Sequence, residues 1–336
     1  MTITNHQFRL ARRPEGAVQR SDFDYIGEAL RALGDGEVQV KISHISLDPA
    51  MRGWMNASED SYMPPVAIGG VMRAIALGQV TESQNPKFAV GDFVSGLLGV
   101  QEYAISDGHA LNKVDPRLAP LPTFLGTLGM PGLTAYFGLL EVGQPKQGET
   151  VLVSAAAGAV GAVVGQIARI KGARVIGIAG GADKCRYLVE ELGFDAAIDY
   201  KHDNVAAALK QHAPKGVDVY FDNVGGEILD AVLLNLAMQA RVVICGAISQ
   251  YNNQEVVRGP ANYLQLLVKR ASMRGLMVAD YYPRAMEAIM AMGGWIKSGQ
   301  LKTREDIVVG LESFPETFQK LFDGANNGKL VLQVAA

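Results

Sequence analysis

Apolar positions follow two different rhythms along the chain. From about Gln7 to Leu121 they come in short β-rich runs, such as Glu37 to Leu47 and Asp92 to Leu98, separated by Gly, Pro and Asn/Asp clusters. Such runs between turn residues predict a mostly β domain. From about Thr123 strand-like runs alternate with helical ones. The predicted strands are Glu149–Ser154, Arg174–Ala179, Ala196–Asp199, Val217–Asp222, Arg241–Cys245 and Ser272–Val278. Predicted helices fill the intervals, over Val160–Lys171, Asp183–Leu192, Asn204–His212, Glu227–Asn235, Ala261–Lys269 and Tyr282–Ser298. Six strands alternating with helices imply an α/β fold with a doubly wound parallel six-stranded sheet of Rossmann type. After Gly299 the alternation stops, and a last helix (Pro315–Asp323) leads into a strand-like run, Lys329–Val334. That tail is too short to fold alone. It is expected to return to the β domain, giving residues 1–122 with 306–336 as one domain and residues 123–305 as an inserted one.

Composition narrows the function classes. The formal charge is −3 and no long Lys/Arg run occurs, so there is no electrostatic footprint for nucleic acid or anionic lipid. Two cysteines, Cys185 and Cys245, are too few for a disulfide framework or a four-thiolate zinc site, which suits a reducing cytosol. The start, MTITNHQFRLARRPEG, has no apolar core of signal-peptide length, so a cytoplasmic location is expected. Thr150 to Ala168 carries no charge, but Ser154, Gln166 and three glycines interrupt it, and its period changes from strand to helix. It reads as strand, turn, helix and not as a membrane span. Glycine is in excess, with 38 residues in 336, and 12 of them lie between Gly129 and Gly181. Such a cluster marks tight turns or backbone approaching a ligand; Gly138 and Gly143 read as helix ends.

The strongest local signal is Val151-Leu152-Val153-Ser154-Ala155-Ala156-Ala157-Gly158-Ala159-Val160-Gly161, a strand opening into a helix through small residues. A pyrophosphate needs that layout: free N–H groups at a helix N-terminus and no side chain in the way. The pattern is A-x-G-x-x-G, with Ala156 at the first glycine position. At the end of the second strand, where a carboxylate would accept a ribose 2′-hydroxyl, the chain reads Ala179-Gly180-Gly181. Lys184 and Arg186 follow, basic residues in a first helical turn, where they oppose the helix dipole unless an anion is near. NADP(H) is therefore favoured over NAD. Other chemistries lack residues. The first 122 residues contain no cysteine and only the scattered His6, His44 and His109, so a catalytic zinc is disfavoured. No G-x-S-x-G elbow or P-loop occurs.

Several segments in order carry a resemblance. They are Leu47-Asp48-Pro49-Ala50-Met51-Arg52-Gly53, Gly129-Met130-Pro131-Gly132-Leu133-Thr134-Ala135-Tyr136, the Ala155–Gly161 turn, Ala179 to Lys184, Asp222-Asn223-Val224-Gly225-Gly226, Cys245 to Tyr251, and Asn326-Asn327-Gly328-Lys329. With them the chain resembles, over nearly its whole length, the medium-chain dehydrogenase/reductase superfamily. Within it the resemblance is to the zinc-free branch of prostaglandin reductases, plant alkenal double-bond reductases and bacterial curcumin reductases. This implies a GroES-like, partly barrel-like β domain. It implies NADPH held by Gly158, Ala159, Val160 and Gly161 at the turn and by Lys184 and Tyr200 at the adenosine phosphate end. Asn223, the backbone of Cys245, Gly246, Ala247, Ile248 and Ser249, and Tyr251 would hold the nicotinamide half. Leu276, Met277, Val278 and Asn326 would complete the cleft. Related enzymes have one residue between that asparagine and Gly328, so Asn326 and Asn327 both remain open. Gly69-Gly70-Val71 stands where the zinc branch has a histidine and a glutamate.

The chemistry implied is conjugate reduction of an α,β-unsaturated ketone or aldehyde, with hydride added to the β-carbon and charge developing on the carbonyl oxygen. A neutral donor there stabilises the transition state more than the ground state. Tyr251, after the fifth strand, is the candidate donor, with a cofactor-packing role as its bland alternative. Tyr62 is a second, loop-borne candidate. Arg52 reads as a stabiliser of the domain interface. Met63, Met130, Leu276 and Met277 could line an apolar pocket. A quinone reductase on the same scaffold and a non-enzymatic NADPH-binding protein are the alternatives. The family resemblance also implies a homodimer joined at the sixth strand.

Overall fold

A computed structural model describes residues 3–58 and 61–335. The chain divides into two compact units, Met1–Leu125 with Glu305–Ala336, and Gly126–Arg304.

The first unit is mostly β. Strand β1 (Thr4–Leu10) pairs antiparallel with β2 (Phe23–Ala29). Strand β3 (Val38–Ser46) is followed by helix α1 (Ala50–Trp54) and by β4 (Ile75–Ser83), β5 (Phe93–Leu97), β6 (Tyr103–Ser106) and β7 (Asn112–Val114). The β-branched residues Val38, Val40 and Ile42 of β3 are buried at alternate positions, as a strand with one face on the core requires. Phe8, Phe23 and Phe314 meet with ring centroids 5.1 to 6.2 Å apart. Arg52 is buried, and its guanidinium donates to the carbonyls of Pro14 and Gly16 and to Asn56 Oδ1. These bonds lie within this unit and give Arg52 a local anchoring job.

The second unit opens with α2 (Met130–Phe137) and then alternates. Strand β8 (Thr150–Val153) leads to α3 (Gly161–Ile170), β9 (Arg174–Ala179), α4 (Ala182–Arg186), β10 (Ala196–Asp199), α5 (Val205–His212), β11 (Val217–Asp222) and α6 (Gly226–Leu233). Strand β12 (Leu236–Ile244), α7 (Leu264–Lys269), β13 (Ser272–Gly275) and α8 (Ala285–Lys297) complete it. The strands are all parallel, in the order β10-β9-β8-β11-β12-β13. The winding reverses between β8 and β11, the switch point beside which such sheets bind ligands. Glycines set the packing depth: a Cβ at Gly165 would fall 1.9 Å from the Phe194 ring, and one at Gly177 would meet Leu188, Ala156 and Phe194. Arg241 on β12 pairs with Glu149 and donates to the carbonyls of Gly143 and Gln144, pinning the approach to β8.

Several boundaries differ from those read in the sequence. The predicted helix 183–192 is a short α4 continued by π turns over Tyr187–Glu191. Strand β12 starts at Leu236, five residues earlier than predicted, because it carries a register irregularity with Gln239 at positive φ that breaks the apolar pattern. The predicted strand 272–278 ends at Gly275, and a 3-10 segment runs over Val278–Arg284. Gly138 is not a helix end: α2 runs into π turns over Gly138–Gly143, and a Cβ there would meet Leu276 at 2.5 Å and the Phe221 ring at 2.8 Å.

The tail holds a strand the sequence did not signal, β14 (Glu305–Val309), then α9 (Phe314–Asp323) and β15 (Lys329–Gln333). Strand β15 lies between β14, parallel, and β3, antiparallel. At its start Lys329, 3% exposed, sets its Nζ 2.7 Å from both Asp48 Oδ1 and the Leu47 carbonyl, while Ser46 Oγ donates to Asp48 Oδ2. Burial lowers the Lys329 pKa, against the pull of Asp48. Removing one partner of a buried pair strands the other charge. Lys329→Ala is expected to lower unfolding free energy by about 3–5 kcal/mol, read as a shifted urea midpoint; an unchanged midpoint would show the pair to be dispensable.

Candidate active site

The carboxyl ends of β8, β9, β11, β12 and β13 gather most of the residues singled out in the sequence. After β8 the chain turns through Ala155, a non-glycine residue at φ 47, a conformation that costs an L-residue about 1 kcal/mol. The turn closes with Gly158 N–H donating to the Ala155 carbonyl at 2.9 Å, and Ala156 N–H is held by the Ile178 carbonyl. Gly161 begins α3 so close to this turn that a Cβ would lie 2.5 Å from the Ala155 oxygen. The last glycine of the A-x-G-x-x-G pattern is thus fixed by backbone-to-backbone contact. Gly158, Ala159, Val160 and Gly161 therefore place the start of α3 at the carboxyl end of β8, with no side chain at two of the four positions, the geometry an anion needs.

Asp222, which the sequence reading passed over in favour of its neighbour Asn223, organises the switch point. It is 1% exposed. Its Oδ1 accepts hydrogen bonds from Ser154 Oγ (3.0 Å), Tyr220 OH (2.6 Å), Val224 N–H and Gly225 N–H (each 3.0 Å), and its carbonyl accepts from Cys245 N–H and Gly246 N–H. Its Oδ2 is buried and has no hydrogen-bond partner among the described residues. Asn223 then spans to β8, donating from Nδ2 to the Ser154 carbonyl at 2.8 Å and from its N–H to Ser154 Oγ at 2.9 Å. A signal existed: Ser154 is a polar residue following the apolar run Val151-Leu152-Val153, and a buried hydroxyl there needs a partner.

The segment after β12 is stitched to that loop. Ile248 N–H donates to the Asn223 carbonyl, and Ser249 donates to the Val224 carbonyl from both its N–H and its Oγ. Gly225 and Gly226, both at positive φ, leave room for Ala247 and Ser249. Tyr251 folds back so that its hydroxyl oxygen accepts the Ala247 N–H at 3.1 Å. Leu276 continues the ladder beyond β13 by donating to the Ile244 carbonyl, followed by Met277 and Val278.

At the tip of β9 the glycines are covered by the end of β10. A Cβ at Gly180 would lie 2.9 Å from Tyr200 Cε1 and from Lys201 Cε. Gly181, at φ 98, donates its N–H to Asp199 Oδ1 at 2.7 Å. Burial pushes the Asp199 carboxyl up, but hydrogen bonds from Gly181, His202 and Lys201 hold it below the usual range. Lys184 lies in α4 and Tyr200 directly follows β10, while Arg186 is paired with Asp183.

Tyr62 and Asn326 belong to the β unit. Tyr62 is 59% exposed and accepts a hydrogen bond from Trp54 Nε1–H at 3.3 Å. Asn326 Nδ2 donates to the Gly328 carbonyl, and Asn327 N–H to Asp306. Met63 packs against the core of this unit. Among the described residues no group of three or more His, Cys, Asp and Glu is arranged to hold a metal ion, and no helix is long and apolar enough to cross a membrane.

Comparison with known proteins matches residues 6–114 to the N-terminal domain of oxidoreductases and residues 159–292 to a family described as zinc-binding dehydrogenase. The chain is 45% identical over 336 residues to an NADPH-dependent curcumin reductase of Escherichia coli, covering 98% of this chain and 97% of the relative. It is 41% identical to an NADP-dependent 2-alkenal reductase of Nicotiana tabacum, covering 99% and 98%. A crystal structure of CurA from Vibrio vulnificus in complex with NADPH superposes with a TM-score of 0.93 at 43% identity, over 98% of this chain and 99% of that one.

Both thiols are suppressed. Burial, with Asp199 and Asp203 nearby, pushes Cys185 up to about 11, and burial with Asp222 pushes Cys245 up to about 12. A thiol whose pKa is raised stays protonated and unreactive at neutral pH. Native protein is expected to react with a disulfide reagent at pH 7.5 far more slowly than the same chain in urea; equal rates would mean that an accessible thiolate is present.

Proposed function

The chain belongs to the medium-chain dehydrogenase/reductase superfamily, in its branch of curcumin, alkenal and prostaglandin reductases, and we propose that it reduces the carbon–carbon double bond of α,β-unsaturated ketones and aldehydes with NADPH. The observation that carries this reading is near-full-length likeness to two reductases named for such substrates.

The cofactor's chemical features match what the chain offers. The Ala155–Gly161 turn suits the diphosphate, because Gly161 cannot carry a side chain and Gly158 has its nearest neighbour, the Ala155 carbonyl, 3.2 Å from a would-be Cβ. Lys184 and Tyr200 would hold the adenosine phosphate end. Asn223, the backbone of Cys245 to Ser249, and Leu276 to Val278 would hold the nicotinamide half. When bound, NADPH supplies the hydride.

The chain's own residues do the rest. Tyr251 donates a hydrogen bond to the substrate carbonyl oxygen as negative charge gathers there, so its contribution grows toward the transition state. Its oxygen accepts the Ala247 N–H, which orients the phenol before substrate arrives and leaves little reorganisation for the reaction step. The shared bonds from Cys245 and Gly246 to Asp222 keep that backbone rigid. The lack of cysteine in the first 122 residues supports a reaction in which no zinc polarises the carbonyl.

The protein works in the cytoplasm as a homodimer joined at β13. All four residues of β13 are exposed at the end of the six-stranded sheet, and Leu264, Leu267, Met273, Met286 and Met290 are exposed apolar side chains on β13 and the helices α7 and α8. An open strand edge invites a second strand.

With NADPH the enzyme is expected to turn over conjugated enones and alkenals faster than quinones; preferential turnover of quinones would overturn the substrate class, and cofactor binding without turnover would overturn the enzymatic reading. Tyr251→Phe is expected to lower kcat by about tenfold or more with little change in NADPH affinity, and an unchanged kcat would remove Tyr251 from the chemistry. Light scattering is expected to give twice the chain mass of 35.9 kDa; the mass of a single chain would rule the dimer out.

A further inference from the structure

We propose that Lys201 is a second cationic contact for the 2′-phosphate of NADPH, acting beside Lys184 to select that cofactor over NADH. The inference rests on the NADPH reading above and adds a residue to it.

The observation is the space over Gly180. In a dinucleotide site that favours NAD, the end of the second strand presents a carboxylate to the ribose 2′-hydroxyl. Here that position is a bare glycine, and side chains from the neighbouring strand end cross it, with Tyr200 Cε1 and Lys201 Cε both 2.9 Å from where a Cβ would stand. The Lys201 stem therefore runs across the β9 tip, where the ribose-recognising group is found in such sheets. Its backbone is fixed there, because Lys201 N–H donates to Asp199 Oδ1 at 3.1 Å.

Asp199 would be the obvious objection, an acid at the same tip that a phosphate should avoid. Its oxygens are already engaged: Oδ1 takes Gly181 N–H and Lys201 N–H, and Oδ2 takes His202 Nδ1 at 2.8 Å. The acid serves as the anchor of the glycine turn. Asp203 is similarly engaged, accepting the Asp199 N–H at 3.0 Å. Arg186 is drawn to Asp183. A lysine acts on phosphate as a mobile point charge that needs no fixed fork geometry, which suits an exposed side chain laid over glycine.

The test is calorimetric binding of NADPH, NADH, 2′,5′-ADP and AMP to the wild-type protein and to Lys201→Gln, Lys201→Arg and Lys184→Gln. Lys201→Gln is expected to raise Kd for NADPH and 2′,5′-ADP roughly five- to tenfold, as for a partly exposed charge-assisted contact, and to leave NADH and AMP unchanged. Lys201→Arg is expected to keep most of the NADPH affinity. A Lys201→Gln protein with the wild-type ratio of NADPH to NADH affinity, while Lys184→Gln loses it, would overturn the assignment; so would equal weakening of all four ligands. If wild-type protein does not distinguish NADPH from NADH, the NADPH reading itself falls, and Lys201 with it.

Discussion

A carboxylate taken out of water must be solvated by protein, and at the switch point of the parallel sheet that demand does the organising. Asp222 collects donors from the end of β8, from its own strand and from the loop that follows, and its carbonyl collects two more from the exit of β12. The elements that frame the cleft on this unit are thus tied to one residue. Burial together with Asp222 pushes the Tyr220 phenol well above its ordinary pKa, so it remains a donor at neutral pH. The turn carrying Asn223, the Gly225-Gly226 pair and the Cys245–Tyr251 segment take their positions from this point.

The second constraint is distance between backbones. Gly161, Gly165 and Gly177 each stand where a methyl group would strike a carbonyl, a ring or another methyl. The glycine excess of the sequence is therefore partly a packing requirement of the sheet and its first helix, and only partly a matter of ligand approach. Ala156 tolerates the first position of the phosphate pattern because the left-handed residue of this turn is Ala155, one step earlier. The departure from the usual glycine is thereby accommodated in the backbone.

The alternation of strands and helices was legible because inner parallel strands such as β8 and β9 are buried on both faces and read as nearly unbroken apolar runs. What escaped has physical causes. Strand β14 is an edge with Ile307 and Val309 exposed, so its apolar residues did not look like core. Asp222 and Ser154 were hard to find because their importance is a bond between residues distant in sequence. Asp199 was missed because the acid at the tip of β9 comes from the next strand, and no reading of the second strand alone could reveal it. The local job of Arg52 was not legible either: its guanidinium ties the Pro14 and Gly16 carbonyls to its own helix, a contact between residues distant in sequence.

The pairing of β15 with β3, and of Lys329 with Asp48, has a consequence in time. A ribosome delivers the strand that needs a partner early and the partner itself almost at the end, with the whole doubly wound unit made in between. That inserted unit is complete once residue 304 has emerged and can fold while synthesis continues, since domains generally fold as units. The β unit meanwhile waits with β3 lacking its β15 neighbour and Asp48 without its lysine. Its assembly is necessarily the later event, and an unpaired strand edge during that interval is a place where chaperones would act.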